Sequence, residues 1–300
     1  MLMHFTDNHS DYNGILSNIK RFYDVYKKYI NDALCTGDFM SDKWTDSFDF
    51  WNDVEMGFVL IVIGNHDVWD RTQPGVVYVS QKEAYDRYFA PYINSWMVTQ
   101  PSNADANGCC YYYKDYSWQK IRLIVLDCMH YDDNQNSWLA SVLDDARDND
   151  IAVVCASHYA PSLYISTFIT DSSFTTENRS FTSDSLDTRA VEAVKSFIDN
   201  GGEFISWVTG HNHLDYLATL NEYGNQFVIN SDSANNYQSL YGTSARVQGT
   251  KSGDCFNCIS FDRFSHTVRF VRIGVNYDMW MRKKETFCYD YKNNRMIYSD

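Results

Sequence analysis

The sequence predicts an α/β protein with largely parallel strands, and three observations lead to this fold class. Short apolar runs end abruptly in polar turns, stretches of helical period lie between those runs, and the last third of the chain changes to period-two alternation. No internal repeat or low-complexity linker divides the 300 residues, so we expect a single domain over 1–300.

The apolar runs predict buried strands, because each is short, continuous and bounded by turn residues. Strands that alternate with helices run parallel in most folds, so these strands should form a largely parallel sheet. The runs are Met3–Phe5, Ala33–Cys35, Phe58–Ile63, Ile121–Leu126, Ile151–Ala156 and Phe204–Val208.

Three amphipathic helices are predicted between the strands. Ile15, Ile19 and Phe22 follow one another at steps of three or four residues, which is typical of a helix over 12–30. The same spacing of apolar residues predicts helices over 136–147 and 184–199.

The C-terminal third is predicted to be antiparallel β, with a C-terminal region over about 255–300. The alternating segments are Gln226–Asn230, Cys255–Asp262, Thr267–Ile273 and Thr286–Asp290. Two segments are long for simple connections and are candidates for lids or substrate walls. They are an aromatic insertion over about 68–118, whose rings could equally pack in the core, and a Ser/Thr-rich stretch over 159–183.

Composition excludes several classes of function. Lys and Arg number 25 against 39 Asp and Glu, and the resulting net charge of −14 disfavours nucleic acid and anionic membrane as partners. The longest apolar run, Phe58–Ile63, is far shorter than the ~20 residues of a membrane span. No basic segment followed by an apolar one opens the chain, so we expect no signal peptide.

The eight cysteines predict free thiols rather than a disulfide framework. Cys35, Cys128 and Cys155 lie in or beside apolar runs, where a thiol behaves as a small hydrophobic group. Cys255 and Cys258 form a single C-x-x-C pair without the second pair that a zinc site needs. We therefore expect a reducing compartment and a cytoplasmic protein.

Polar clusters follow five of the predicted strands. Ligands of open α/β sheets bind outside the carboxyl ends of the strands, so these clusters should face one crevice. We expect the Asp-x-His and His-x-His steps to lie in extended backbone, which places both side chains on one side. The clusters are Asp7-Asn8-His9, Gly37-Asp38, Gly64-Asn65-His66-Asp67, Ser157-His158 and Gly210-His211-Asn212-His213.

The donor atoms of these clusters are imidazole nitrogens, carboxylates and one amide oxygen. This mixture suits Zn, Mn or Fe better than Mg or Ca, which prefer oxygen ligands alone. The candidates are too many for one tetrahedral ion and suit two ions that share a carboxylate.

In this order, the clusters resemble the signature of the calcineurin-like metallophosphoesterase superfamily, which reads D-x-H, G-D, G-N-H-[DE], a later His and G-H-x-H. The resemblance covers roughly residues 3 to 275. It implies a four-layer α/β/β/α sandwich with two mixed β-sheets, and a phosphate ester as the substrate.

The resemblance also implies roles for individual residues. One divalent transition-metal ion would be held by Asp7, His9 and His213, and the other by Asn65, His158 and His211, with Asp38 bridging both. A hydroxide bound to the metals would attack a phosphodiester or phosphomonoester. His66 would assist the leaving group as the catalytic histidine, and Asp67 would orient His66.

Departures from the family pattern narrow the branch. The segment from Gly37 to Asp42 lacks the G-D-x-x-D-R-G element of protein Ser/Thr phosphatases, and the chain has G-N-H-D in place of G-N-H-E. Ser41 stands where purple acid phosphatases have a tyrosine ligand. The sequence therefore predicts the bacterial and phage-type branch. A nuclease and a non-catalytic module on a virion or cell surface are the alternatives, and the sequence leaves the oligomeric state open.

Overall fold

Two β-sheets position the site. The computed structural model describes residues 1–9, 15–40, 49–70, 77–162, 164–169, 174–180, 184–213, 215–231, 234, 255–274 and 286–299. The strands in chain order are β1 (Leu2–Phe5), β2 (Asp32–Cys35), β3 (Val59–Ile61), β4 (Trp69–Asp70), β5 (Val77–Tyr78), β6 (Tyr112–Tyr116), β7 (Ile121–Val125), β8 (Ala152–Ala156), β9 (Tyr164–Ile169), β10 (Phe174–Ser180), β11 (Phe204–Thr209), β12 (Tyr216–Leu220), β13 (Gln226–Asn230), β14 (Cys255–Asp262), β15 (Thr267–Gly274), β16 (Thr286–Asp290) and β17 (Arg295–Ser299).

Two mixed sheets and one hairpin contain these strands. The first sheet has the order β17-β16-β15-β14-β1-β2-β3, in which β1, β2 and β3 are parallel and the others antiparallel. The second has the order β10-β9-β12-β13-β11-β8-β7-β6, with a parallel centre from β13 to β7. Strands β4 and β5 pair separately as a short hairpin.

The helices are few and mostly short. They are α1 (Ile15–Tyr26), α2 (Asp49–Asp53), α3 (Asn65–Val68), α4 (Gln81–Ala84), α5 (Ile93–Trp96), α6 (Ala104–Asn107), α7 (Asp133–Asp148) and α8 (Thr188–Asp199), with a π-helical turn at Tyr85–Phe89 and a 3-10 turn at Asn221–Tyr223. Among the described residues, no helix combines the length and the apolar character needed to cross a bilayer.

The alternation of side chains along the strands creates four layers. In β8, Val153 and Cys155 pack in the cluster of α7 and α8, while Val154 packs in the core that contains both sheets. In β14, Phe256 contacts Phe22 of α1 at a ring distance of 5.0 Å. The neighbouring Asn257 points the other way and donates to Ser231 Oγ beyond β13. Helix α1 therefore covers the first sheet, and α7 and α8 cover the second.

Most of the predicted elements are confirmed. All ten predicted strands are present, each end within two residues of its prediction, and the helix predicted over 136–147 extends over α7. The helix predicted over 184–199 begins only at Thr188, because the side chain of Asp187 caps it by accepting from Arg189 N. Helix α1 ends at Tyr26, and Ile30 enters the core from the turn before β2. Residues 12–14 of that prediction lie outside the described residues.

The prediction of antiparallel pairing for Gln226–Asn230 is correct on one side of β13 and wrong on the other. This strand pairs antiparallel with β12 but parallel with β11, so it belongs to the centre of the second sheet. Strands β9 and β10 form a hairpin within the stretch 159–183, where we expected a lid or a wall. The sequence of both strands is rich in Ser and Thr and contains no continuous apolar run, so a search for apolar runs does not find them.

The aromatic segment 68–118 contributes to the core of the molecule. Tyr88, Phe89 and Tyr112 are fully buried, and Tyr112 OH donates to the carbonyl of Ile61 in β3. The last part of the segment is β6, the edge strand of the second sheet. Core packing is therefore the main role of these aromatic residues.

One histidine fastens the start of this segment to the second sheet. The Nε2–H of His130 donates to the carbonyl of Val79 at 3.1 Å, and its Nδ1 lies 2.9 Å from Oδ2 of Asp127. Burial lowers the pKa of His130, but the charge of Asp127 and both hydrogen bonds outweigh burial and raise it above 6.5. The protonated ring can donate to both partners at once.

We expect this contact to make stability depend on pH. Because the folded pKa of His130 is raised, its stabilisation is complete below pH 6.5, the unfolded value, and is lost as pH rises through the folded pKa. Chemical denaturation should therefore show that His130→Gln has a lower unfolding free energy than the wild type, and that this deficit is larger at pH 6 than at pH 9. In an Asp127→Asn background this pH dependence should vanish, and an equal difference at both pH values would contradict the assignment.

Candidate metal centre

The loops after five parallel strands meet at one end of the two sheets. Strands β1, β2 and β3 of the first sheet and β8 and β11 of the second each end in one of the predicted clusters. All nine predicted site residues lie within the described part of the chain: Asp7, His9, Asp38, Asn65, His66, Asp67, His158, His211 and His213.

The first group of possible ligands consists of Asp7, His9, Asp38 and His213, whose donor atoms lie within 4.8 Å of one another. The Nε2 atoms of His9 and His213 are 3.2 Å apart, and Nε2 of His213 is 3.2 Å from Oδ1 of Asp7. Asp7, His9 and Asp38 are buried, and the His213 side chain is 11% exposed. Two imidazoles and two carboxylates are thus directed at one point away from bulk water.

The second group consists of Asp38, His158 and His211, again with donor atoms within 4.8 Å of one another. Nε2 of His158 lies 3.2 Å from Oδ2 of Asp38 and 3.0 Å from Oδ1 of Asn65. Asp38 is therefore common to both groups. The structure brings together all seven side chains that the sequence predicted as ligands.

The protonation states suit a site for cations. Burial lowers the pKa of His9 to about 4 and that of His211 to about 3, so both rings are neutral and can offer a lone pair. Burial raises the pKa of Asp7, but the charge of His213 and its hydrogen bond outweigh this and lower it to about 2.

Asp38 and His158 form an ion pair at the shared position. Burial opposes the charge of Asp38, but His158 and His66 hold its pKa well below the usual range. Burial lowers the pKa of His158, and Asp38 overrides burial and raises it to about 9. Nδ1–H of His158 donates to the carbonyl of Thr36 at 2.7 Å, which directs Nε2 towards Asp38. This is the usual second hydrogen bond of a metal-binding histidine, so the donor set fits a metal ion.

The backbone at the site is strained. Five of the twelve described non-glycine residues with positive φ are predicted ligands, namely Asp7, His9, Asp38, His211 and His213, with φ from 43° to 70°. The expectation of extended backbone in the Asp-x-His and His-x-His steps is therefore wrong. Left-handed turns direct these side chains to the same point instead. Each such residue costs about 1–3 kcal/mol, and strain of this kind is typical of functional sites.

Two glycines of the motifs are required because side chains of the site pack directly against them. A Cβ on Gly64 would lie 2.2 Å from Oδ1 of Asp38 and 2.4 Å from its backbone nitrogen. A Cβ on Gly210 would lie 2.0 Å from Oγ1 of Thr6 and 2.8 Å from Oδ2 of Asp7. The sequence signature therefore contains glycine where the carboxylates approach the backbone.

Asp67 differs from the role expected for it. Its Oδ2 accepts from the backbone nitrogens of Asp38 at 2.9 Å and Gly64 at 2.7 Å, and its Oδ1 accepts from Met40 at 2.8 Å. Burial and the charge of Asp38 raise the pKa of Asp67 to about 8, against the three backbone bonds, which favour the charged form. These bonds join the loops after β2 and β3. Asp67 therefore positions the backbone that carries Asp38, and none of its described contacts orients the His66 ring.

His66 lies at the edge of the cluster of predicted ligands, next to solvent. Its Nε2 is 3.7 Å from Oδ2 of Asp38, its ring meets that of His9 edge-on at 4.5 Å, and its side chain is 21% exposed. Its backbone nitrogen donates to Oδ1 of Asp38 at 2.9 Å. His66 thus adjoins the centre, and its side chain is more exposed than those of His211, at 14%, and His213, at 11%.

The sequence reasoning missed two groups that support the site. Thr6 Oγ1 donates to Oδ2 of Asp7 at 2.6 Å, and Arg272 of β15 forms a buried ion pair with Asp215, two residues beyond His213. Thr6 and Asp215 adjoin their motifs and could have been suspected for that reason. Nothing in the sequence signals Arg272, because it lies in an alternating strand far along the chain.

Comparisons with known proteins are consistent with this arrangement. A family model described as calcineurin-like phosphoesterase matches residues 1–215. Among solved structures, a dimetal phosphatase from Danio rerio is similar with a TM-score of 0.61 at 12% identity, over 94% of this chain and 98% of the other. A purple acid phosphatase from yellow lupin (Lupinus luteus) seeds gives 0.56 at 10% identity, over 96% of this chain and 53% of the other. No curated protein matches the chain.

At such low identities the two structures show a shared fold, and they do not decide the branch. Two of the residues on which the branch prediction depends, Ser41 and Asp42, lie outside the described residues. That prediction remains untested.

Replacement of Gly64 by alanine should damage the centre. The new methyl group would displace Asp38, so we expect a loss of about 1–3 kcal/mol in unfolding free energy, together with weaker metal binding. Chemical denaturation and equilibrium dialysis with Mn²⁺ measure the two effects. Gly57→Ala is the matched control, because its methyl group would meet only the ring of Tyr92, at 3.4 Å. Equal behaviour of the two variants would contradict the packing argument.

Proposed function

Because the chain belongs to the calcineurin-like phosphoesterase family and is a metal-dependent phosphoric ester hydrolase, we propose that it hydrolyses phosphodiesters, or phosphomonoesters, at a centre for two divalent transition-metal ions. The observation that carries the proposal is the buried carboxylate of Asp38, which is common to two groups of donor atoms. One ion would be held by Asp7, His9 and His213, and the other by Asn65, His158 and His211.

Nitrogen and oxygen donors in this mixture favour Mn, Zn or Fe. When bound, such a pair of ions neutralises the charge on the phosphate and lowers the pKa of water so that it can serve as the nucleophile at neutral pH. The residues of the chain fix where this happens. Asp38 sets the separation of the two positions, and the hydrogen bond from His158 to Thr36 fixes the direction of the imidazole.

His66 is suited to act on the leaving oxygen. The predicted ligands are largely buried, whereas the His66 side chain is 21% exposed and can therefore meet an ester that enters from solvent. Its neighbours Asp38 and His9 keep its ring next to the centre. A proton or hydrogen bond from His66 to the leaving oxygen would stabilise the charge that develops as the P–O bond breaks.

The alternatives are less well supported. A non-catalytic module of this fold would be free to lose ligands, but all seven predicted ligands are present and clustered. A nuclease would need a surface that attracts a polyanion, whereas this chain has a net charge of −14.

We expect the protein to bind two metal ions per chain. Elemental analysis after reconstitution with excess Mn²⁺ or Zn²⁺ should approach two, because the two donor groups converge on separate positions. Asp38→Ala should reduce the stoichiometry more than any other single ligand change, since it removes the shared carboxylate.

The control for this experiment is His266→Gln. His266 lies in the turn between β14 and β15, where it contacts Glu203 rather than the centre. This variant should keep the wild-type stoichiometry. A stoichiometry near one in the wild type would refute the dinuclear proposal.

His66→Asn should separate catalysis from metal binding. An interaction that forms mainly in the transition state lowers kcat when it is lost and leaves KM nearly unchanged. We expect two bound ions, a similar KM and a loss in kcat of about 10²–10⁴-fold. The loss should be smaller for a nitrophenyl ester, whose leaving group departs without a proton.

Two outcomes would overturn the role of His66. If the variant loses a metal ion, His66 is a ligand. If its kcat is unchanged, its contribution is structural.

A further inference from the structure

We propose that this enzyme acts on phosphate esters whose leaving group carries an aromatic ring, and that the ring stacks on an aromatic wall formed by Trp69 and Tyr78. The inference rests on the proposed function, because it takes His66 as the residue that meets the leaving oxygen. It adds a substrate class to that function and names the residues that select it.

The wall adjoins His66 directly. The rings of Trp69 and His66 lie 4.7 Å apart, and Tyr78 follows at 6.3 Å from Trp69 with an interplanar angle of 71°. Trp69 and Tyr78 are opposite residues of the β4–β5 hairpin, so their side chains belong to the same face. A group leaving from phosphorus towards His66 would therefore meet an indole first and a phenol next.

The exposure of these residues is unusual for their size. Tyr78 is 55% exposed and its neighbour Val77 is 46% exposed, although most aromatic residues of the segment 77–112 are buried. Exposed apolar groups that adjoin a catalytic centre are typical of a binding surface. Core packing explains Tyr88 and Tyr112, but it does not explain Tyr78.

The wall is held in place by main-chain contacts. Val79 N donates to the carbonyl of Val68 at 3.0 Å, and the carbonyl of Val79 accepts from His130 at 3.1 Å. Both contacts fix the end of β5 beside α3, the helix that carries His66. A fixed aromatic surface loses little conformational entropy when a ligand ring stacks on it.

A third aromatic residue bounds the site. Tyr159 lies 4.5 Å from the ring of His211. Tyr159 is only 8% exposed, so it does not offer an accessible face, whereas Tyr78 is 55% exposed. The exposed aromatic area is therefore that of Tyr78, next to Trp69 and His66, where the leaving group departs.

Charge restricts the size of the substrate. A net charge of −14 repels a polyanion, so the aromatic group belongs to a small ester, such as an aryl-alkyl or nucleoside ester, rather than to a nucleic acid chain.

In the reaction the oxygen of water bonds to phosphorus and the P–O bond to the aromatic alcohol breaks. One proton goes to the alcohol oxygen, and the other is released to solvent.

The test uses a diester that can break at either side. Methyl 2-phenylethyl phosphate has two alkyl leaving groups, and only one of them carries a ring. We expect the metal-loaded wild type to release 2-phenylethanol rather than methanol, and to prefer this ester over methyl 2-cyclohexylethyl phosphate, whose leaving group has nearly the same acidity. The corresponding monoesters extend the comparison if only monoesters are cleaved. Product analysis by NMR gives the ratio of 2-phenylethanol to methanol directly.

The variants assign the preference to the wall. Trp69→Ala and Tyr78→Ala should each lower kcat/KM for the phenylethyl ester by about 10-fold or more, with a smaller effect on methyl ethyl phosphate. Trp69→Phe should restore much of the preference, because it keeps an aromatic face. Trp118→Ala is the matched control, since Trp118 is 94% exposed in the turn before β7 and should have no effect.

A binding measurement complements the kinetics. Calorimetry with 3-phenylpropylphosphonic acid, which has no ester bond and whose P–C bond is not hydrolysed, should show weaker binding to Tyr78→Ala than to the wild type. Three results would overturn the inference. The wall variants could lose kcat/KM equally for the phenylethyl ester and for methyl ethyl phosphate, neither variant could lose any, or the wild type could release mainly methanol. Failure of the loaded wild type to cleave any ester would instead contradict the proposed function.

Discussion

A carboxylate that is fully buried, as Asp38 is, loses the water that would solvate its charge, and the protein has to replace that water. The backbone nitrogen of His66 and the imidazole of His158 do so, from loops that follow strands of different sheets. The site therefore exists only when the two sheets are packed together. The layered core places the loops, the loops supply the groups that stabilise this buried charge, and the charge in turn sets the protonation state of its neighbours.

The sandwich supports a strained centre. Left-handed backbone at five ligands costs several kcal/mol in total, at about 1–3 kcal/mol each. Strands buried on both faces hold the ends of these loops, and Asp67 joins two of them through three backbone hydrogen bonds. The buried pair of Arg272 and Asp215 fastens the loop after β11 to the first sheet. Support of this kind keeps the donor atoms within 4.8 Å of one another.

The centre divides into an inner part and an outer part with different tasks. Ligands such as Asp7 and His158 are buried and fixed, whereas His66 is open to solvent on the side of Trp69 and Tyr78. A phosphate can therefore be held by the buried groups while its substituent remains at the surface. In the mechanism that we propose, the surface residues select the ester and the buried residues hold the phosphate.

From the sequence alone we could predict ten of the described strands, the three long helices, the candidate ligands and the family resemblance, because these depend on local periodicity and on short motifs. The sequence did not determine how the ligands meet: Asp7 and His9 converge through left-handed turns, not through extended backbone. Nor did it show that Asp67 binds the backbone of Asp38, or that Tyr112 is core while Tyr78 is exposed. Strand β13 was misjudged for the same reason, since its parallel partner β11 comes from an earlier part of the chain. These features depend on contacts between residues that are distant in sequence, and such contacts are fixed only when the two sheets pack against each other.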